Sequence, residues 1–395
     1  MTAPSYTFPT DFIWGAATAA HQIEGNNVSS DWWAREHSPN TDLSEASNDA
    51  CDSYNRYEED IRLLAASGLR MYRFSIEWAR IEPECGCFSK AQLLHYRRMI
   101  DTCRQYGVEP MVTLYHMTLP LWFAEQGGWR RADAVERFRR YVEYVLPILH
   151  DVTWVCTLNE PNMVALTRGG TEGSDFIAAS LPYPDPEISE NLVAAHRSAR
   201  EVLAAVPTIK SGWTIACQAF HAVPGCEAEM EAYQYPREDY FTEAAAGDDF
   251  IGVQAYLRTF IGKEGPVPTD PNAERTLTGW EYFPPALGIA VRHTWEVGGH
   301  TPIFVTENGI ATANDARRID YTYDALACLH DAMADGIDVR GYLHWSLLDN
   351  YEWGSFRPTF GLIGWDKDTF ERHPRPSLEW LGNVSRSGVL SHPSR

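Results

Sequence analysis

Two acidic residues that end apolar runs are the side chains best suited to chemistry in this chain. Glu160 follows the segment 157–159 and precedes Pro161, and Glu307 lies in a Thr-Glu-Asn-Gly segment after the apolar run 303–305. Two carboxyl groups can share the work of an acid and of a base or nucleophile. Such a pair is typical of enzymes that cleave glycosidic bonds. The elements that would bring the two acids together therefore decide whether they form one site.

Eight short apolar runs alternate with amphipathic segments along the chain. The runs that predict strands are Phe12–Ala17, Leu69–Ser75, Pro110–Tyr115, Thr153–Leu158, Lys210–Cys217, Phe250–Ala255, Ile303–Thr306 and Gly341–Trp345. The segments that predict helices are Asp52–Ser67, Lys90–Tyr106 with Ser89 as N-cap, Ala132–His150 and Tyr321–Asp335. This alternation predicts an α/β fold, a (β/α)8 TIM barrel over 1–395 as a single domain with loop insertions and a peripheral tail after about residue 384.

Polar and aromatic residues fall at or near the ends of these runs, where a TIM barrel holds its active site. They are Arg73 in the second run, His116 after the third, Asn159 and Glu160 after the fourth, Tyr256 after the sixth, Glu307 after the seventh and Trp345 at the end of the eighth. Any one of these residues, taken alone, could simply form a salt bridge in a loop or bind a backbone carbonyl. Together they predict one site.

Charge and composition limit the kinds of molecule that the chain is expected to bind. The 395 residues include 54 acidic and 33 basic side chains, for a net charge of −21, so nucleic-acid binding is not expected and a neutral small molecule suits the chain better. The N-terminus lacks the pattern of a signal peptide, and no apolar stretch is long enough for a membrane span, which predicts a soluble, cytoplasmic protein without a membrane partner. The eight cysteines are too sparse for a disulfide scaffold, and the close pair Cys85 and Cys87 lacks zinc-site spacing.

Seven motifs in order give the chain a resemblance to glycoside hydrolase family 1, the β-glucosidase and β-glycosidase family. They are FPTDFIWGAAT from residue 8, HQIEG from 21, RFSIEWARI from 73, TLYH from 113, TLNEP from 157, PIFVTENG from 302 and WSLLDNYEW from 345. The resemblance implies a TIM-barrel hydrolase that needs no cofactor and no metal. It also implies a retaining exo-β-glycosidase acting on small soluble β-glycosides, most simply a β-glucosidase.

The resemblance also implies residue roles. Glu307 would be the nucleophile, kept ionised by Arg73 and the Tyr256 hydroxyl, and Glu160 the general acid and base. Asn159 would hold the sugar 2-hydroxyl. The remaining sugar contacts would come from Gln22, His116, Glu352 and Trp353, with Trp345 as floor and Phe360 as a further wall. Trp14, Trp154 and Trp213 are expected in the core.

Four positions depart from the pattern of that family. Met117 and Thr118 replace Trp-Asp, Gln254 replaces an Asn, and Thr359 replaces an Arg. Met117 and Gln254 are therefore expected to tune the sugar site, and the longer Gln254 side chain could displace or lose a hydrogen bond near the nucleophile. Glu352 is expected to repel a 6-phosphate as an unpaired carboxylate, which favours unphosphorylated sugars.

Several alternatives stay open from the sequence. A transglycosylase would use the same two carboxyl groups, and a catalytically silent sugar-binding barrel would keep the fold. An unrelated barrel enzyme of phosphorylated metabolites would need a Gly-rich phosphate site, which Asn308-Gly309 alone does not make. Glucose, galactose, fucose and mannose preference, the natural aglycone and the oligomeric state are likewise left open.

Overall fold

A closed barrel of eight parallel strands forms the centre of the protein in the computed structural model, which describes residues 4–167 and 181–393. The barrel strands are β2 (Ile13–Ala17), β3 (Met71–Ser75), β4 (Glu109–Thr113), β5 (Trp154–Asn159), β6 (Lys210–Ala222), β7 (Ile251–Gly262), β9 (Ile303–Asn308) and β10 (Val339–Trp345). Each strand pairs with the next in chain order, and β10 pairs with β2 to close the ring. The predicted fold class is confirmed.

The barrel strands are largely buried because both of their faces are covered. Ile303, Phe304 and Val305 in β9 are fully buried, as expected for a parallel strand between a packed interior and a layer of helices. All eight predicted strands exist. Two are much longer than predicted, because β6 and β7 stay paired beyond the barrel, from residues 219–222 to 258–261, and β7 then pairs antiparallel with β8 (Gly265–Val267).

The helices of the described chain surround the barrel and extend its loops. They are α1 (Ala20–Ile23), α2 (Asp31–Glu36), α3 (Ser53–Ser67), α4 (Trp78–Ile81), α5 (Lys90–Gln105), α6 (Leu121–Glu125), α7 (Ala134–Val145), α8 (Pro161–Thr167), α9 (Pro186–Leu203), α10 (Glu227–Gln234), α11 (Tyr240–Ala244), α12 (Ala286–Val297), α13 (Asp315–Ala334) and α14 (Pro376–Ser387). None of them is long and apolar enough to cross a membrane.

Local sequence explains the helix ends. The Ser89 hydroxyl accepts a hydrogen bond from the Gln92 amide at the start of α5, and Gly68 ends α3 with φ of 105°, a left-handed conformation that glycine adopts without strain. Two predicted helices match within one residue, and the other two differ by more. The segment 132–150 contains α7 followed by a short 3-10 turn at its proline, Leu146–Ile148, and α13 begins six residues before Tyr321 because Asn314 caps it.

Two small strand pairs complete the fold. β1 (Tyr6–Thr7) pairs antiparallel with β13 (Val389–Leu390), and β11 (Ile363–Trp365) with β12 (Arg372–Pro374). The segment after residue 384, expected to be peripheral, finishes α14 and joins the N-terminal strand, with Leu390 fully buried. Trp14, Trp154 and Trp213 are buried, as predicted for core residues.

Candidate active site

A pocket opens at the C-terminal ends of the barrel strands. Every site residue predicted from the sequence except Arg73 lines it, namely Gln22, His116, Met117, Asn159, Glu160, Gln254, Tyr256, Glu307, Trp345, Glu352, Trp353 and Phe360. Arg73 is fully buried in β3 and touches two of the lining side chains. Residues from seven of the eight barrel strands or the segments just after them thus meet in one place.

Glu307, near the end of β9, is held by three hydrogen-bond donors. Arg73 Nη1 donates to Oε1 at 2.6 Å and Gln254 Nε2 to the same oxygen at 2.7 Å, while the Tyr256 hydroxyl donates to Oε2 at 2.7 Å. The contacts expected from Arg73 and Tyr256 are therefore present. The expectation that Gln254 could lose its hydrogen bond is wrong, because the longer side chain still reaches the carboxylate.

The Glu307 segment also needs a glycine. A Cβ placed on Gly309 would lie 2.0 Å from the carbonyl oxygen of Trp345, at the end of the neighbouring strand β10. Backbone atoms cannot move aside as a flexible side chain can. Gly309 therefore allows the ends of β9 and β10 to lie close enough for Glu307 and Trp345 to line one pocket.

Glu160 occupies a very different environment. It stands between β5 and α8 with φ of 44°, and its backbone amide donates to the Thr214 carbonyl at 2.7 Å. Within residues 4–167 and 181–393, no side chain is seen to donate a hydrogen bond to its carboxyl group. Burial, followed by the neighbouring charge of Glu307, holds the pKa of Glu160 well above its ordinary value.

The two carboxyl groups are thereby made unequal. Burial also raises the pKa of Glu307, but the Arg73 charge and the three donors oppose that rise. Glu160 lacks such donors and feels the Glu307 charge in addition. We conclude that Glu307 ionises first and Glu160 keeps its proton to higher pH, the division of roles that an acid and a nucleophile require.

The side-chain oxygen of Asn159 is bound by other side chains of the protein. Its Oδ1 accepts hydrogen bonds from Arg73 Nη2, Thr214 Oγ1 and Gln254 Nε2, so the amide orientation is set by three donors. No acceptor for its Nδ2 group occurs among the described residues. Asn159 lines the pocket, and this Nδ2 group is the donor it can offer to a ligand.

Three buried polar atoms of the pocket walls have no hydrogen-bond partner among the described residues. They are Gln22 Oε1, His116 Nδ1 and Gln254 Oε1. The Gln22 orientation is forced, because its Nε2 donates to Asn350 Oδ1 and to the Tyr351 carbonyl, which can only accept. An unsatisfied buried polar atom costs about 1–3 kcal/mol. A ligand hydroxyl group that reached one of these atoms would remove that cost there.

Aromatic rings border the same polar atoms. The His116 ring lies nearly parallel to Trp345 and Trp353, with centroids 6.1 and 6.2 Å away. Trp345 Nε1 donates to Glu352 Oε1 at 3.0 Å, and Phe360 packs edge-on against Tyr256. Apolar faces beside fixed polar groups suit a sugar ring, which has both C–H faces and hydroxyl edges.

Three of the nine non-glycine residues with positive φ in the described part of the chain line this pocket. Met117, Glu160 and Trp353 have φ of 66°, 44° and 48°, in the left-handed region that costs a residue with a side chain of this size about 1–3 kcal/mol. Residues with this backbone conformation persist where the surrounding structure holds them in place, and they are frequent at active sites. At Met117, one of the predicted tuning positions, the Tyr115 hydroxyl binds the backbone carbonyl and fixes the turn.

One group in the described part of the chain has the composition of a metal site. Ligand atoms of Glu238, Asp239 and His293 lie within 4.8 Å of one another. None of the three lines the pocket, and His293 Nε2 already lies 2.6 Å from Asp239 Oδ1. This group could hold a cation, but it is not part of the arrangement around Glu160 and Glu307.

Some residues that contribute to the site were not predicted from the sequence. Thr113 Oγ1 accepts a hydrogen bond from Arg73 Nε, and Thr214 Oγ1 donates one to Asn159 Oδ1. Asn350 Oδ1 accepts a hydrogen bond from Gln22 Nε2 and so orients that amide. Thr113 and Asn350 lie inside the recognised motifs, so a polar residue facing the barrel interior could have been suspected. Thr214 sits within an apolar run without such a signal, and Trp32 and Trp280 could not be told from the other tryptophans.

Comparison with known proteins agrees with the fold. The family model described as glycosyl hydrolase family 1 matches residues 4–212 and 230–388. The chain is a TIM-barrel glycoside hydrolase, and it belongs to glycosyl hydrolase family 1.

Two β-glucosidases are similar to this chain over nearly its whole length. β-Glucosidase A of Acetivibrio thermocellus is 30% identical, with 96% of this chain and 98% of the relative covered. Thermostable β-glucosidase B of Thermobispora bispora is 32% identical over 98% of this chain and 92% of the relative.

Solved structures give the same result. The β-glycosidase BGL167 is 42% identical with a TM-score of 0.89, covering 96% of this chain and 97% of that one. The β-glucosidase of Thermotoga maritima in complex with noeuromycin is 27% identical with a TM-score of 0.87, covering 97% of this chain and 99% of that one.

Proposed function

We propose that the protein is a retaining exo-β-glucosidase that removes terminal β-D-glucosyl residues from small soluble glycosides. One observation carries the proposal: a firmly held carboxylate, Glu307, shares a sugar-sized pocket with a carboxyl group, Glu160, whose environment favours the protonated form. The names of the relatives, β-glucosidase A and β-glucosidase B, support the glucoside class.

In the proposed first step, Glu307 attacks the anomeric carbon while the bond to the leaving oxygen breaks. Glu160 gives its proton to that oxygen, so the aglycone leaves as a neutral alcohol. Arg73, Tyr256 and Gln254 orient the attacking carboxylate. The Asn159 amide group would donate to the 2-hydroxyl, a contact that strengthens as positive charge develops at the anomeric carbon.

In the second step, water releases the sugar. Formation of the ester removes the negative charge of Glu307, and the pKa of Glu160 falls because that charge had raised it. Glu160 can then take a proton from water, whose oxygen attacks the anomeric carbon and expels Glu307. The same carboxyl group is thus an acid in one step and a base in the next.

The other hydroxyl groups would satisfy the unpaired atoms of the pocket. Gln22 Oε1, His116 Nδ1 and Gln254 Oε1 are available, with Glu352 close to Trp345. Burial raises the pKa of Glu352 to about 8, which favours its protonated form. The expected charge repulsion of a 6-phosphate is therefore weakened. Unphosphorylated sugars are still favoured, because the described lining residues include no Lys or Arg to pair with a phosphate.

The alternatives gain no support. A transglycosylase remains chemically compatible with both carboxyl groups, but the relatives reported above carry glucosidase or glycosidase names. A silent sugar-binding barrel gives no reason to keep the acid and the nucleophile in such different environments. No observation favours an enzyme of phosphorylated metabolites.

The proposal is tested with aryl β-glycosides that differ at C2, C4 and C6. We expect hydrolysis of the β-glucoside, with comparison of the galactoside, fucoside and mannoside defining the sugar preference. Proton NMR of the first product should show the β-anomer before mutarotation. Release of the α-anomer would contradict retention, and hydrolysis of none of the glycosides would contradict the function.

Gln254 gives a specific prediction for the nucleophile. Gln254→Leu removes one donor to Glu307 and one to Asn159, so we expect kcat/KM for a β-glucoside to fall by about 10- to 100-fold, the effect of losing a hydrogen bond to a charged group. Gln254→Asn keeps the amide and should lose less. Equal activities of Gln254→Leu and the unchanged protein would show that the contact does not contribute.

Charge coupling between the acids gives a second prediction. Glu307→Gln removes the neighbouring negative charge and leaves Arg73, so the pKa of Glu160 should fall. The shift can be followed by carbon NMR titration of protein labelled at glutamate side chains, with Glu160→Gln used to assign the signal. An unchanged or higher pKa for Glu160 would refute the coupling.

A further inference from the structure

Two acidic side chains and one imidazole converge outside the pocket, where Tyr235–Asp239 forms a π-helical turn between α10 and α11. One ligand atom each from Glu238, Asp239 and His293 of α12 lies within 4.8 Å of the other two. Neighbouring residues of a helix do not normally face each other, so the convergence of Glu238 and Asp239 is unusual. π-Helical turns occur frequently at functional sites, and this one brings two carboxyl groups to one imidazole ring.

The Glu238 carboxyl group has one oxygen without a partner. Glu238 is only 1% exposed, and its Oε2 accepts a hydrogen bond from the Gln218 amide at 2.9 Å. Its Oε1 is buried and has no hydrogen-bond partner among the residues that the structure describes. Within the same residues, no Lys or Arg forms an ion pair with Glu238 or Asp239, and the ion-pair partner of Asp239 is His293. A buried carboxyl group is costly unless it is paired or binds a metal ion.

The contacts of His293 are those of a ligand set more than of a hydrogen-bond network. Its Nε2 lies 2.6 Å from Asp239 Oδ1 and 2.7 Å from Gln234 Nε2. If Nε2 carries a hydrogen and donates it to Asp239, it cannot also accept from the Gln234 amide, which only donates. If Nε2 carries none, its lone pair faces the Asp239 carboxylate. Turning the Gln234 amide over removes the conflict and places a further lone pair, that of Oε1, at the same point.

We propose that Glu238, Asp239 and His293 bind a divalent metal ion of the zinc type, with the Gln234 amide oxygen as a fourth ligand. A cation accepts the lone pairs of all four atoms at once. One imidazole nitrogen with carboxylate oxygens suits Zn²⁺, whereas Mg²⁺ and Ca²⁺ prefer oxygen ligands alone. Zinc–ligand distances of about 2.0–2.1 Å place tetrahedral ligand atoms about 3.3 Å apart, so side-chain shifts of about 1.5 Å or less complete the site.

The bound ion would be structural rather than catalytic. None of its ligands lines the pocket, and the proposed hydrolysis uses no metal. The ion would join the turn after α10 to α12, because Asp239 and His293 are 54 positions apart in the chain. Asp239 and His293 are partly exposed, which gives the ion a path from solvent to the buried Glu238. Binding should therefore stabilise the fold without being required for turnover.

Titration of chelator-treated protein with zinc chloride tests the proposal. Calorimetry should show one ion per chain, bound in the micromolar range or tighter, and zinc at about 100 times its Kd should raise the melting temperature by about 2–4 °C. Glu238→Gln and, separately, His293→Gln should lose both effects. Without zinc, Glu238→Gln should melt no lower than the unchanged protein, because an amide replaces a buried acid. Absence of zinc binding, or binding that survives in both variants, would overturn the proposal.

Two other places on the surface could bind zinc, so each has a control variant. Cys85→Ser with Cys87→Ser removes the two exposed thiols, and His300→Gln removes the imidazole of an exposed pair with Glu296. Both controls should bind zinc as the unchanged protein does. Cobalt in place of zinc should give visible absorption without a cobalt–thiolate band in the near ultraviolet. A thiolate band, or binding lost in a control and kept in His293→Gln, would overturn the proposal. Neither measurement depends on hydrolysis.

Discussion

Glu307→Ala is expected to abolish hydrolysis of every β-glycoside, with kcat reduced on the order of 10⁴- to 10⁶-fold, as is found when a nucleophile is removed. The loss should not depend on the leaving group, because without the carboxylate no glycosyl-enzyme forms. Steady-state rates with nitrophenyl and alkyl β-glucosides measure it. Added azide should restore turnover of an activated substrate and give the α-glucosyl azide, since azide attacks from the vacated face.

A matched control separates this effect from loss of a buried ion pair. Glu281 is buried and paired with Arg258 at 2.6 Å, but it does not line the pocket. Glu281→Ala should therefore retain hydrolysis even if it lowers the melting temperature. Substantial hydrolysis by Glu307→Ala without azide would refute the nucleophile assignment.

Glu160→Gln is expected to slow the first step according to the leaving group. For alkyl glucosides, which need a proton, the rate should fall by about 10²–10⁴-fold, the usual contribution of a general acid. For a dinitrophenyl glucoside, which leaves readily as an anion, the first step should be nearly unaffected and the second should become limiting. Pre-steady-state kinetics should then show a burst of released phenol.

The pH dependence of this variant gives an independent check. In the unchanged protein, kcat/KM should fall at alkaline pH as Glu160 loses its proton, and the raised pKa of Glu160 moves that fall to higher pH. Glu160→Gln should lack this alkaline limb. An equal loss of first-step rate for dinitrophenyl and alkyl glucosides, with the limb retained, would show that Glu160 is not the acid.

The barrel could be predicted because its signals are local. Runs such as 303–305 are apolar throughout, and Ser89 and Gly68 mark helix ends by their own hydrogen bonding and backbone freedom. The extension of β6 and β7 past the barrel could not be read in this way. It depends on pairing between residues 219–222 and 258–261, and the sequence of either segment alone does not specify its partner.

The residues that form the site could be predicted from the sequence, but the hydrogen bonds between them could not. The motifs place Glu307, Glu160 and Arg73 near strand ends, yet they do not reveal that Gln254 still reaches Glu307 or that Asn159 accepts three hydrogen bonds. Those contacts depend on side-chain length and on strand register. The raised pKa of Glu352 likewise follows from burial, which cannot be known from the sequence alone.

The central claim is that Glu307 forms a covalent bond to the sugar, and trapping tests it most directly. A 2-deoxy-2-fluoro-β-glucoside with a dinitrophenyl leaving group should inactivate the protein, because fluorine slows the second step more than the activated first step. Mass spectrometry of proteolytic fragments should then find one fluoroglucosyl unit on Glu307. A label on another residue, or release of the phenol in turnover without any label under conditions that inactivate a retaining control enzyme, would contradict the account.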